Sequence, residues 1–269
     1  MNRNGFRIGL MSAGVLGLSA GVALGDPILP DWTGATFDGM SSVSDNMYFP
    51  LQEWSFSAYE GIEDGADYRG ETLVTDQVKN ILGVDTRVVR DVAYEDGLLV
   101  EVAFDWYAQD TDGNVWYFGE HVNNFNYDDD DNFIGVDHEG SWIADGVDFL
   151  PGIIMYANPM VGAEYYQEYA PGVAFDFAHV NSVTDSVDID FGSFADVLNT
   201  GEGNFIDGPE IAENKLYGPG TGLVLIEVLD DAGEVDSEVE LIAQRTVPAP
   251  GPAAALLLAA TGALGRRRR

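Results

Sequence analysis

Short runs of β-branched and aromatic residues, each closed by Gly, Asp or Asn, dominate the chain beyond Gly61. Thr72-Leu-Val-Thr, Ile81-Leu-Gly-Val, Thr86-Arg-Val-Val-Arg, Leu98 to Tyr107 and Val115 to Glu120 are of this kind. Runs of that length and composition predict the strands of an antiparallel meander. Two junctions carry hairpin chemistry, Glu95-Asp96-Gly97 and Asp112-Gly113-Asn114, because Asp-Gly reaches the left-handed conformations that tight turns need. Further strands or packed loop are expected at Gly140-Ser-Trp-Ile, from Phe149 to Met155, from Tyr165 to Tyr169 and from Val187 to Phe191. A last hairpin, Lys215 to Val228 with Val235 to Ile242, turns around Asp230 to Glu234. The polar stretch from Asn123 to Gly140 predicts a solvated loop, and Phe194 to Leu198 a single helical turn. Residues 26–60 hold isolated aromatics without a period and predict an irregular segment. No repeat of about 20–50 residues occurs, which disfavours a solenoid or propeller. The expectation is one mainly β domain over residues 61–246, built as a single antiparallel curved sheet or half-barrel with long loops and little helix.

Both ends have a different pattern. Arg3 and Arg7 precede an uncharged, apolar and small-residue run from Ile8 to Leu24, and Ala23-Leu24-Gly25 stands before Asp26. A basic start, an apolar stretch and a small-x-small site predict a secretion signal over residues 1–25, cleaved before Asp26. At the other end, Val247-Pro248-Ala249-Pro250 leads into an apolar stretch closed by Arg266, Arg267, Arg268 and Arg269. Terminal positive charges stay on the cytoplasmic side and would hold the bulk of the chain outside.

Charge is confined by the same ends. Six of the 12 Lys and Arg lie in the terminal segments, which leaves six against 46 Asp and Glu in the core, a net −40. Phosphate backbones need a basic surface, so nucleic acid is excluded as a partner. Adaptation to salt, with counterions screening the surface, is the simpler account of such acidity, and calcium binding the sharper one. There are no cysteines, which removes disulfides, thiolate metal sites and a cysteine nucleophile. With 14 Phe, 12 Tyr and 5 Trp the chain has the apolar area that disordered acidic chains lack.

The order of prolines, apolar stretch and arginines over residues 247–269 resembles the PEP-CTERM sorting signal of bacterial surface proteins, with Ala249 where that family has glutamate. The resemblance implies recognition by the export machinery and an exosortase-like processing enzyme. It also implies transient inner-membrane anchoring, then release to the cell surface or extracellular matrix, where envelope or matrix polysaccharide would be the neighbour. In the core, Asp105-Trp-Tyr-Ala-Gln-Asp, Gly113 to Glu120, Gly140-Ser-Trp, Pro151 to Met155 and Tyr165 to Glu168 resemble a group of secreted bacterial β-proteins without an assigned activity. Lys215 to Val224 is similar to the penultimate strand of half-barrel, lipoprotein-carrier-like domains. Those likenesses imply a curved antiparallel sheet, open on one side, with a concave apolar face.

Candidate chemistry is sparse. Asp110, Asp112 and Asn114 offer oxygen ligands, but glycine comes early at 113 and Glu120 falls one position short, so the loop is not an EF-hand. Within Asp128 to Asp131, Asp128 and Asp130 could hold calcium, although a like-charge run is ordinarily a solvated loop. His121, His138 and His179 lack metal-ligand spacing, and no Gly-x-Ser-x-Gly elbow occurs. Alternation places Trp106 and Tyr107 on opposite faces, so at least half of the aromatic run should be core. Glu120 and Glu168, each ending an aromatic strand, are the preferred polar candidates. No cofactor is identified. The sequence points to an exported, noncatalytic β-domain that binds a cation or an apolar ligand, with a carboxylate-dependent, glycosidase-like hydrolase as the alternative.

Overall fold

The computed structural model describes residues 27–206 and 208–249. The expected signal segment and most of the tail, including Pro250 and Arg266 to Arg269, lie outside the described residues. Among the described residues no helix is long and apolar enough to cross a membrane, and the helical content is a single 3-10 turn, Trp32–Gly34.

Five long strands form a first meander: β1 (Ser55–Glu63), β2 (Ala66–Ile81), β3 (Val84–Glu95), β4 (Leu98–Gln109) and β5 (Val115–Tyr127). Three short strands, β6 (Phe133–Asp137), β7 (Trp142–Ile143) and β8 (Leu150–Met155), pair in turn with successive stretches of β5. Two fragments follow, β9 (Glu164–Tyr166) and β10 (Glu168–Tyr169), separated only by Gln167. A second meander, β11 (Asp176–Ile189), β12 (Gly192–Asn204), β13 (Glu213–Gly218), β14 (Gly222–Leu229) and β15 (Val235–Thr246), returns to pair β15 with β1. Every paired strand is antiparallel, and the sheet runs from β10 through β8, β5 and β1 to β11 and β9. Its two ends are therefore neighbouring pieces of one segment, so the sheet nearly closes into a barrel with one unsealed seam.

Local chemistry explains the turns. Asp96 and Gly97 sit at φ 48° and 81°, the paired left-handed geometry that suits a two-residue hairpin. Three longer turns share one device: the carboxylates of Asp110, Asp128 and Asp230 each accept backbone N–H bonds from two and four residues on. Gly113, Asp131 and Gly233 supply the positive φ in these loops.

Several expectations are corrected. Phe194 to Leu198 is strand, because Phe194 pairs with Val187 and Leu198 with Tyr217, and cross-strand pairing overrides local preference. Asn123 to Tyr127 belongs to β5 and Phe133 to Asp137 to β6, so the solvated loop shrinks to the turn between them. Ser55 to Glu60 is strand as well. The irregular segment before it is well anchored. Ser41 and Thr36 carbonyls accept from Gln109 and Thr111, Asn46 donates to Gly113 and Tyr156, and Phe37 packs on Trp116 and Phe118. It thereby covers the barrel end that carries the β4–β5 turn.

Register defines the inward face. Val89, Asp91 and Ala93 of β3 oppose Asp105, Ala103 and Glu101 of β4, which oppose Glu120, Val122 and Asn124 of β5. On the far wall Asp176 and Ala178 of β11 oppose Asn204 and Glu202 of β12, and Glu202 and Thr200 oppose Glu213 and Lys215 of β13. All of these residues are buried. The concave side is thus not simply apolar, because aromatic and aliphatic side chains share it with a band of acids.

Candidate functional site

That band is the chemical peculiarity of the molecule. Side chains two residues apart on a strand share a face, so Asp91, Asp105 and Glu120 from one meander meet the same interior as Asp176, Glu202 and Glu213 from the other. Asp105 and Glu120 are direct cross-strand partners, as are Glu202 and Glu213. Like charges in that relation repel unless something neutralises one of them. Glu168, wholly inaccessible on β10, completes the ring across the seam.

Only part of this charge is compensated by an ion pair. Lys215 Nζ lies 3.0 Å from Glu202 Oε2 and 2.9 Å from Glu213 Oε1. Burial works against the Lys215 charge, but the two carboxylates outweigh it and raise its pKa. Neutral donors serve others: Tyr117 OH donates to Asp105 at 3.0 Å, Trp142 Nε1 to Glu168 Oε2 at 2.9 Å, and Thr200 Oγ1 to Glu202 at 2.7 Å. One oxygen of each of Asp91, Glu120, Glu168, Asp176 and Glu213 (Oδ1, Oε1, Oε1, Oδ2 and Oε2) has no donor in this interior. A buried ionised carboxylate without partners is prohibitively costly, so the group takes a proton instead.

The directions of the pKa shifts agree. Burial, then the charges of Glu168 and Asp105, hold the Glu120 carboxyl well above its usual range. Burial, then Asp176 and Asp105, do the same for Glu168. Asp105 is raised by burial and by Asp91, and Asp91 by burial against the help of its hydrogen bond to Asp105. Asp176 is pushed up to about 7, chiefly by burial, with Lys215 opposing. Burial also raises Glu213, although Lys215 sits beside it.

The residues singled out in sequence divide cleanly. Glu120 and Glu168 come together in this cluster, which the sequence did not require of two residues so far apart. Asp110 is buried, but its Oδ1 accepts from the Asp112 and Asn114 amides and its Oδ2 from Asn114 Nδ2 and Trp116 Nε1. Four N–H donors occupy the lone pairs that a cation would use. Asp112 lies exposed at the tip of the same loop, and Asn114 is spent on Asp110 and on the Ala157 amide. Asp128 accepts from the Asp130 and Asn132 amides and from Asn132 Nδ2, while Asp130 is exposed. Val247 donates its amide to the Trp54 carbonyl and prolongs the β1–β15 pairing, with Pro248 following it. No group of three or more acids and histidines arranged for a metal occurs among the described residues.

The histidines lie elsewhere. His121 and His138 stack loosely, with ring centroids 5.0 Å apart, and His179 bonds Glu164. Trp106 and Tyr107 leave β4 on opposite faces. Trp106 carries Lys79 3.1 Å from its ring centroid, and Tyr107 stacks on Tyr117 at 4.7 Å. A surface groove lies at the opposite barrel end, lined by Glu60, Asp67, Tyr68, Arg69, Glu71 and Tyr94 among others, and the buried Tyr68 reaches from it towards Glu101 and Asp91. Asp91, Asp105, Asp176, Glu202, Glu213 and Lys215 escaped the sequence reading. The available signal was parity, since each shares its phase with buried apolar neighbours such as Val89, Ala103, Ala178 and Tyr217.

No protein-family model matches this chain, and no curated protein does. Among solved structures, a protein from Bacteroides fragilis, provisionally described as exported and with a YmcC-like fold, is similar at 16% identity and a TM-score of 0.44. A protein from Parabacteroides distasonis, provisionally described as a lipoprotein, is similar at 15% identity and a TM-score of 0.43. Each likeness covers 74% of this chain and 99% of the other.

Proposed function

We propose that this chain is an exported β-barrel of the cell surface or extracellular matrix that acts as a structural or binding component and not as a catalyst. One observation carries the noncatalytic part: the preferred catalytic candidates, Glu120 and Glu168, are 3% and 0% exposed inside the barrel. A hydrolase needs a cleft in which its carboxylates meet substrate. Export rests on the pattern of residues 3–25 and on the sorting-type order of residues 247–269. In this account the acidic outer surface keeps the protein soluble and takes up cations by screening. A calcium site at Asp110 gains no support from a carboxylate already saturated with N–H donors.

Cell fractionation with intact-mass measurement of the full chain expressed in a bacterial host tests delivery. The expected product lies outside the cytoplasm and lacks residues 1–25; in a host with an exosortase-like enzyme it also lacks the arginine tail. A full-length product held in the cytoplasm would overturn the proposal. Turnover of a glycoside panel that is lost in both Glu120→Gln and Glu168→Gln would restore the hydrolase.

A further inference from the structure

The seam of the barrel and two of its buried acids coincide. Residues 164–169 bridge the sheet ends: Glu164 to Tyr166 pair with β11, whereas Glu168 and Tyr169 pair with Pro151 and Leu150 of β8. Gln167 is tied to the far side through its amide, which donates to the Asp176 carbonyl at 2.9 Å. The approach on the β8 side is tight, since a Cβ on Gly152 would stand 2.2 Å from the Gln167 carbonyl oxygen. Inside this junction the carboxyls of Glu168 and Asp176 lie within hydrogen-bonding reach of each other. Glu168 Oε2 is satisfied by Trp142, while Glu168 Oε1 and Asp176 Oδ2 have no protein donor.

Two ionised carboxylates are acceptors only, so they can bond each other only if one carries a proton. We propose that Glu168 and Asp176 form a proton-dependent clasp across the barrel seam, closed when they share a proton and released when both are ionised. The acids around the clasp add to its dependence on that proton, whereas the Trp142 N–H at Glu168 and the Lys215 charge near Asp176 oppose it. Asp105 and Tyr107 of β4, and Glu120 and Tyr117 of β5, face Glu168. Glu202 of β12 and Glu213 of β13 face Asp176, and only Lys215 of β13 opposes them. Both clasp carboxyls have pKa values above their ordinary ones, so the folded barrel binds protons that the open chain releases. The contribution is complete below the unfolded values, roughly pH 4, and is lost as the pH rises through about 7 for Asp176.

Hydrogen exchange of the full chain between pH 5 and pH 9, corrected for intrinsic rates, reads the clasp directly. Between about pH 5 and pH 7 the opening equilibrium at the Gln167 amide should rise at least roughly tenfold per pH unit, as the opened carboxyls release protons that the closed clasp holds, while amides in β2 to β4 stay protected. The profile should persist in about 1 M salt, where the Debye length falls to roughly 3 Å and surface repulsion is screened. Glu168→Gln supplies a permanent donor and should hold the seam closed at every pH. Asp176→Asn does the same from the other side should the first variant fold poorly. Seam protection that ignores pH, that fails together with β2 to β4, or that returns with salt would overturn the proposal.

Discussion

Lys215→Met removes the cation from the acidic interior while keeping a long apolar side chain in its place. Lys215 is 2% exposed and contacts Glu202 and Glu213 at 3.0 and 2.9 Å, so the variant leaves two buried carboxylates without their counter-charge. Removing one partner of a buried ion pair costs about 3–5 kcal/mol. The cost must depend on pH. Burial already raises Glu213 in the presence of the lysine, so the variant can escape the penalty by protonating that carboxyl. Near pH 4 only lost hydrogen bonds and altered packing remain, about 1–2 kcal/mol. Near pH 8 the full penalty should appear. Lys215 itself stays charged throughout this window, because its pKa is raised and its stabilisation persists below the unfolded value. Urea unfolding followed by tryptophan fluorescence at the two pH values gives both numbers by linear extrapolation. An equal loss at pH 4 and pH 8, or a loss below about 1 kcal/mol at pH 8, would refute a charge-compensating role for Lys215.

Three further outcomes follow from separate parts of the molecule. Asp110→Ala strips the acceptor from the Trp116 indole and two loop amides, and should lower stability by about 2–3 kcal/mol in urea unfolding, against no change if the carboxylate served only a cation. Calcium and sodium chlorides at matched ionic strength should raise the Tm alike, and saturable stabilisation by calcium in the micromolar range would contradict charge screening alone. Gly152→Ala puts a methyl group against the Gln167 carbonyl and should cost at least about 1–3 kcal/mol, with hydrogen exchange at residues 164–169 affected first; an unchanged Tm would show that the seam is not closely packed.

Much of the fold was legible because strands announce themselves locally. The runs from Thr72 to Glu120 and the Asp96-Gly97 turn carry their own β and hairpin signals, and the final hairpin around Asp230 does too. Closure was not legible, since it depends on β15 meeting β1 and on residues 164–169 splitting their pairing between β8 and β11. The strand at Phe194 to Leu198 was not legible for a related reason, as its partners lie on neighbouring strands rather than one turn away. Glu120 and Glu168 drew notice for standing at the ends of aromatic strands. The rest of their cluster stayed hidden, because an acid in phase with apolar residues looks the same in sequence whether it is buried or terminates an exposed strand. The acidic turns misled in the opposite sense: Asp110 and Asp128 suggest cation ligands by composition, yet their oxygens are used by the loops they fold.

The most direct measurement of the acidic interior is a carboxyl-carbon NMR titration of the full chain from pH 3 to pH 9. Glu120, Glu168 and Asp105 should keep the shifts of protonated carboxyls well past the ordinary range of about 4, Asp176 should change at about 7, and exposed Asp128 should titrate below its usual value. Interior carboxyls that titrate together with the exposed ones, near pH 4, would contradict a barrel that folds around shared protons.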